Sequence, residues 1–119
     1  MNIEEFRTYC LSKNGVTESF PFDEKTLVFK VLGKMFALTG LERQPSAVNL
    51  KCDPEKAIEL REEYDEIILP GYHMSKKHWN TIIFDSRLPK EKLLELIDHS
   101  YNLVVEKLPK KLRETLDEK

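Results

Sequence analysis

The sequence predicts an α+β fold: a two-layer sandwich with one antiparallel sheet and helices on one face, in the order α-βββ-α-β-α. Three observations predict it. Two β-rich runs, Thr26–Leu32 and Met35–Thr39, are separated only by Gly33-Lys34, the pattern of a two-residue hairpin. Segments with apolar residues at helical spacing stand before, between and after the strand-like runs. Hairpin-type connections and a run of strands followed by helices favour an antiparallel sheet covered on one side. A chain of 119 residues with no repeat, low-complexity tract or linker reads as a single domain, residues 1–119.

The first element is a helix. Asn2 caps it, Glu5 stands in capping-box position, and Ile3, Phe6, Cys10 and Leu11 share one side. Asn14-Gly15 ends it. Residues Val16 to Phe22 read as a connector, with Pro21 between two phenylalanines that pin it onto the core. The hairpin follows. With Gly33-Lys34 as its turn, Leu32 faces Met35, Val31 faces Phe36 and Phe29 faces Leu38. Leu27, Phe29, Val31, Phe36 and Leu38 then form the core face. Thr26, Val28, Lys30, Leu32, Met35, Ala37 and Thr39 form the outer one, mixed enough to stay in water.

Beyond a Gly40–Pro45 loop carrying Arg43, strand Ser46–Cys52 alternates Val48 and Leu50 inward with Asn49 and Lys51 outward. Asp53-Pro54-Glu55 opens a second helix, with a good N-cap and proline in the first turn. Ala57, Leu60, Arg61 and Tyr64 keep helical spacing, and the helix stops before Pro70-Gly71. A last strand spans Asn80–Phe84, and Asp85-Ser86-Arg87 turns the chain. Pro89 starts the longest helix, to about Lys107, with Leu93, Ile97, Tyr101, Val104 and Leu108 as its stripe. Pro109 breaks it, and Lys110–Lys119 reads as a frayed final helix.

Composition excludes several functions. Charged residues make up 34% and the net charge is −2, so the chain lacks the global basic signature of a non-specific nucleic-acid binder. Cys10 and Cys52 have neither metal nor redox spacing and fall on inward positions. No signal peptide or long apolar run is visible, so the expected setting is cytoplasmic, without a membrane. His73 and His78 are five residues apart, off the spacing that places two imidazoles on one helix face, so no metal is expected. There is no nucleophile elbow or phosphate-binding loop, and carboxylates alternate with Lys or Arg as on solvated helix faces. No cofactor and no enzymatic activity are expected.

The densest chemistry lies between Pro70 and Phe84, which hold two histidines, two adjacent lysines and the one tryptophan. Lysines contact phosphate, asparagine reads adenine, and an exposed tryptophan stacks on bases. Candidate nucleic-acid contacts are therefore Lys30 and Lys51 on the outer sheet face, Lys34 on the hairpin and Arg43 in the next loop. Lys76, Lys77, His78, Trp79 and Asn80 complete the set.

The same residues carry a resemblance. The motifs are Gly33-Lys34-Met35-Phe36-Ala37, Leu50-Lys51-Cys52-Asp53-Pro54, Pro70-Gly71-Tyr72-His73-Met74, Lys77-His78-Trp79-Asn80 and Ser100-Tyr101. With Gly15-Val16-Thr17-Glu18-Ser19 and Pro21-Phe22, they resemble the MmcQ/YjbR family of small bacterial proteins. Lys13-Asn14 stands where a proline commonly precedes the glycine, and Asp23 where glycine is frequent. The resemblance implies a compact two-layer α+β unit, likened to a double-wing DNA-binding arrangement in which strands and hairpin loops meet the duplex. It supplies no catalytic residues.

The leading expectation is thus a DNA-binding or regulatory protein, a monomer or weak dimer, contacting double-stranded DNA through the residues named above. The alternative is a protein- or peptide-binding module using Val28, Leu32, Met35 and Ala37. The electrostatic sign of the outer face separates these two, a neutral or acidic patch favouring the protein-binding reading. A third reading places a small molecule between Tyr72, His73, His78 and Trp79.

Overall fold

A computed structural model describes residues 1–71 and 74–117 of the chain. It has helices α1 (Ile3–Leu11), α2 (Pro54–Glu63), α3 (Lys90–Glu106) and α4 (Lys110–Asp117). The strands are β1 (Val16–Ser19), β2 (Thr26–Val31), β3 (Lys34–Gly40), β4 (Ala47–Lys51), β5 (Ile68–Pro70) and β6 (Trp79–Ile83). They form one sheet in the order β1-β2-β3-β4-β6-β5, with every neighbouring pair antiparallel. All four helices feed one core against one sheet face, so the α+β sandwich with one-sided helices holds.

Two strands escaped the sequence reading. Val16–Ser19 is an edge strand rather than a connector, and Ile68–Pro70 forms the opposite edge, where a longer second helix was expected. Both are short, and proline is tolerated at such an edge because its missing N–H is not needed there. The expected pinning by the two phenylalanines also fails. Phe20 is 47% and Phe22 66% exposed, so the connector after β1 holds its rings at the surface.

The hairpin turn is Leu32-Gly33, not Gly33-Lys34. Both residues have positive φ, 47° and 88°, as a type I′ turn requires. Val31 therefore faces Lys34 and Lys30 faces Met35, a register two residues away from the expected one. A bulge then leaves Phe36 without a partner on β2 and pairs Phe29 with Ala37 and Val28 with Leu38. Phe29 and Phe36 both stay in the helix-side core, as expected. Ala37 and Leu38 exchange faces: Ala37 turns inward and Leu38 joins Val28 outside.

Local chemistry explains the helices. Asn2 and Glu5 form the capping box of α1, with Glu5 N–H donating to Asn2 Oδ1 at 2.8 Å. Asp53 caps α2 by accepting from Lys56 N–H, with Pro54 next to it. Phe6 packs edge-on against Phe29 and Phe84, at 5.6 and 5.7 Å between centroids, which seats α1 on the sheet. Arg7 reaches β1 through a two-pronged contact with Glu18, at 2.6 and 2.5 Å. Leu116 is buried, so the last helix is docked and not frayed.

Where β3 and β4 part, α3 supplies the missing rung. The Ser100 hydroxyl donates to Phe36 O at 2.5 Å and accepts from Lys51 N–H at 2.9 Å. The ladder proper ends one step earlier, at Ala37 and Leu50. Bulged Phe36 cannot reach across, and a buried hydroxyl fills the space. That is why a serine stands in the buried stripe of the long helix.

Candidate functional site

The candidate site is the sheet face away from the helices. Alternation from the observed register places Thr26, Val28 and Lys30 of β2 there, and Met35 and Leu38 of β3. Asn49 and Lys51 of β4 stand beside Trp79 and Thr81 of β6. No outward position on any of the six strands carries a carboxylate.

Phe22, Met74 and Ser75, from outside the strands, join this face. Val28, Leu38 and Trp79 form a second buried cluster, on which Met35 and Met74 pack. Beside it runs a groove of about 430 Å³. Phe22, Leu38, Asn49, Met74 and Ser75 line it. Thr26, Gly40 and Arg43 close one end, and Met35 stands at the other. A larger groove, about 560 Å³, lies between α1 and α3. Part of its polar lining is already engaged, since Glu5 holds both Asn2 and Lys90, and the sheet-face groove lies beside the outer apolar cluster.

The structure divides the expected contact residues. Lys30, Arg43 and Lys51 belong to the outer face or its rim, whereas Lys34 stands opposite Val31, on the helix side of the ribbon. Lys76 and Lys77 are exposed in the turn leading into β6. None of Lys30, Arg43, Lys51, Lys76 and Lys77 joins an ion pair among the described residues. The ammonium of Lys51 has its pKa lowered by burial and by Lys107 nearby. His78 is half-buried, and its carbonyl accepts from Cys52 N–H at 2.8 Å.

Trp79 and Asn80 do not present themselves to a ligand. Trp79 is 8% exposed and belongs to the outer cluster; Asn80 is 3% exposed and points to the helix side opposite Leu50. The organiser of both is Arg61 of α2. Its Nε donates to Asn80 Oδ1 at 2.7 Å, and its Nη2 to the carbonyls of Lys76 and Trp79. Gly71 lies so close to Trp79 that an added Cβ would sit 2.7 Å from the tryptophan Cβ. The Pro70-Gly71 and His78-Trp79-Asn80 motifs thus meet as a packing unit. Tyr72 and His73, invoked for a small-molecule site, lie outside the described residues.

Sequence reasoning missed Phe22, Leu38 and Met74 as groove residues, and Arg61 as the clamp. The exposed Phe-Pro-Phe could have been read as a surface feature. Leu38 could not, because its outward turn depends on the bulge.

The cysteines are chemically quiet. Burial pushes the Cys52 thiol up to about 11 and the Cys10 thiol to about 12, so both stay protonated at neutral pH. His99 lines the same narrow space as Cys52, about 10 Å³, and its Nε2 accepts from Asp53 N–H at 3.2 Å. Among the described residues no cluster of His, Cys, Asp and Glu could hold a metal ion. No helix among them is long and apolar enough to cross a membrane.

Comparison with known proteins places this geometry. The YjbR family model matches residues 11–103. Escherichia coli K12 YjbR is 35% identical over 116 residues, covering 98% of both chains. A crystal structure of Deinococcus radiodurans DR2400, a DUF419 domain, superposes with a TM-score of 0.91 at 43% identity. That match covers 98% of this chain and 88% of the other. A Pseudomonas syringae crystal structure gives a TM-score of 0.74 at 26% identity, over 87% of this chain and 98% of its own. The family match, the relatives and the shared fold agree: this chain belongs to the YjbR family.

Proposed function

We propose that the protein is a non-catalytic binding module that receives a protein or peptide segment on its outer sheet face. The observation that carries this reading is the groove lined by Phe22, Met35, Leu38 and Met74. Binding surfaces are apolar and aromatic at the centre with a polar rim, and methionine adapts to varied partners. Here an apolar centre is bordered by Lys30, Arg43 and Lys51.

The test is a selection of displayed random peptides on the immobilised protein, in parallel with a Phe22→Ser/Met74→Ser double variant. Enrichment of a common motif on the natural chain and its loss on the variant are expected. Equal enrichment on both would remove the groove from the function.

Duplex DNA is the second reading, favoured by the sign of the outer face and by five cations that join no ion pair among the described residues. It ranks lower because Trp79 and Asn80, the residues that would stack and read bases, are packed inside the protein. What remains is contact with phosphate, which carries no sequence information. Binding to a short duplex at about 50 mM salt that weakens steeply with added salt, and that Lys76→Glu/Lys77→Glu abolishes, would restore this reading.

A further inference from the structure

We propose that the groove takes an extended segment with an apolar centre and carboxylates at both ends; this rests on the reading of the outer face as a polypeptide site. The argument is one of charge position. The groove follows β3 from Met35 to Gly40, five steps along the strand, or about 17 Å at the usual rise per residue. At the Gly40 end stands Arg43, whose backbone N–H donates to Gly40 O at 3.2 Å. At the Met35 end stands Lys30, directly opposite Met35 on β2. Lys51 lies on the same face, next to the Leu50 that pairs with Ala37. Between these cationic ends lie Leu38, Phe22 and Met74, with no carboxylate on the sheet surface.

Two acidic residues near the Arg43 end, Glu42 and Asp23, are already engaged, while the neighbouring Glu24 is exposed. Glu42 pairs with Lys25 at 3.1 Å, and Asp23 accepts from the N–H groups of Lys25 and Thr26 at 2.8 and 2.7 Å. Arg43, Lys30 and Lys51 have no partner of this kind among the described residues. A ligand with an apolar side chain or two at its middle and Asp or Glu at each end matches the arrangement in sign and length. A duplex does not: its phosphates form a continuous array, and it has nothing to place against the methionines and Phe22.

The test uses the full chain and three fluorescein-labelled peptides of about seven residues, sharing a Phe-Ser-Met centre. One is flanked by Asp-Glu at both ends, one by Ser-Gly and one by Lys-Arg. Anisotropy titrations should show the acidic peptide binding about tenfold more tightly than the neutral one, with the basic peptide weakest. Arg43→Gln combined with Lys30→Gln should erase the difference between acidic and neutral peptides. Equal binding of acidic and neutral peptides to the natural chain overturns the inference and leaves the binding-module reading standing. Failure of all three up to about 1 mM overturns the inference and counts against that reading too. Displacement of the acidic peptide by a short duplex, with affinity unchanged by Phe22→Ser/Met74→Ser, assigns the cations to nucleic acid and also overturns it.

Discussion

Replacing Ser100 by alanine removes one oxygen and should be among the most damaging small changes available. The hydroxyl serves two strands at once, donating to Phe36 O at 2.5 Å and accepting from Lys51 N–H at 2.9 Å. Ser100 and Phe36 are fully buried, so water cannot take over the exposed carbonyl. An unsatisfied buried polar group costs about 1–3 kcal/mol. Two orphaned groups, one of them partly reachable by solvent at Lys51, give about 3 kcal/mol. Against a typical total of about 5–15 kcal/mol this is a large fraction. Urea unfolding followed by circular dichroism should show a lower midpoint at unchanged slope. Thermal melting should shift down by about 10 °C for a chain of this size. A loss below about 0.5 kcal/mol would refute the reasoning, since it would mean that the strands close directly once the hydroxyl is gone. Hydrogen exchange at the Lys51 amide offers a local check: it should accelerate even where global unfolding is rare.

Other predictions are more compact. Gly33→Ala should cost about 1–2 kcal/mol from its φ of 88° alone, because nothing lies within 4 Å of the added carbon. Gly71→Ala should cost more, since its Cβ would press on the Trp79 Cβ and carbonyl at 2.7 and 3.0 Å; paired urea curves rank the two. Burial, and secondarily Lys56, lowers the His99 pKa, while Asp53, Glu106 and Glu95 oppose. The unfolded chain therefore takes up that proton first on acidification. This contribution to stability is complete above the ordinary histidine value of about 6.5 and is lost as pH falls below it. His99→Gln should flatten that part of the stability–pH curve. Phe22→Ser should leave the melting temperature nearly unchanged, because the ring is 66% exposed, yet weaken peptide binding about tenfold.

Much of the fold was legible because the hairpin and the two long helices each carry several agreeing signals. The apolar alternation in Leu27–Val31, the Asp53-Pro54 start and the stripe from Leu93 to Leu108 all describe what the chain does. The turn was misplaced for a physical reason. A leucine at φ 47° is a poor choice by local propensity, and Leu32 holds it while packing its side chain partly into the core. The two-residue shift at the turn keeps the alternation of faces, whereas the one-residue bulge at Phe36 inverts it for the residues beyond. That is why Phe29 and Phe36 agree with expectation while Ala37 and Leu38 do not. Edge strands of three and four residues carry too few alternating positions to announce themselves.

The candidate site was legible in its charges and opaque in its shape. Lys30, Arg43 and Lys51 follow from alternation and loop position. Trp79 also falls on the outer face by alternation, but its burial depends on its packing with Val28, Leu38 and Met74. Asn80 turns to the helix side, where Arg61 holds it; no local pattern reveals a pairing between residues nineteen positions apart.

The protein's three methionines offer the most direct test of the central claim. Met35 and Met74 line the sheet-face groove, and Met1 lines the rival groove between α1 and α3. With the methyl groups carbon-13 labelled, titration of the acidic peptide should move the Met35 and Met74 resonances together and leave Met1 in place. Movement of Met1 alone, or saturation of binding with Met35 and Met74 unmoved, would contradict a binding face on the outer side of the sheet.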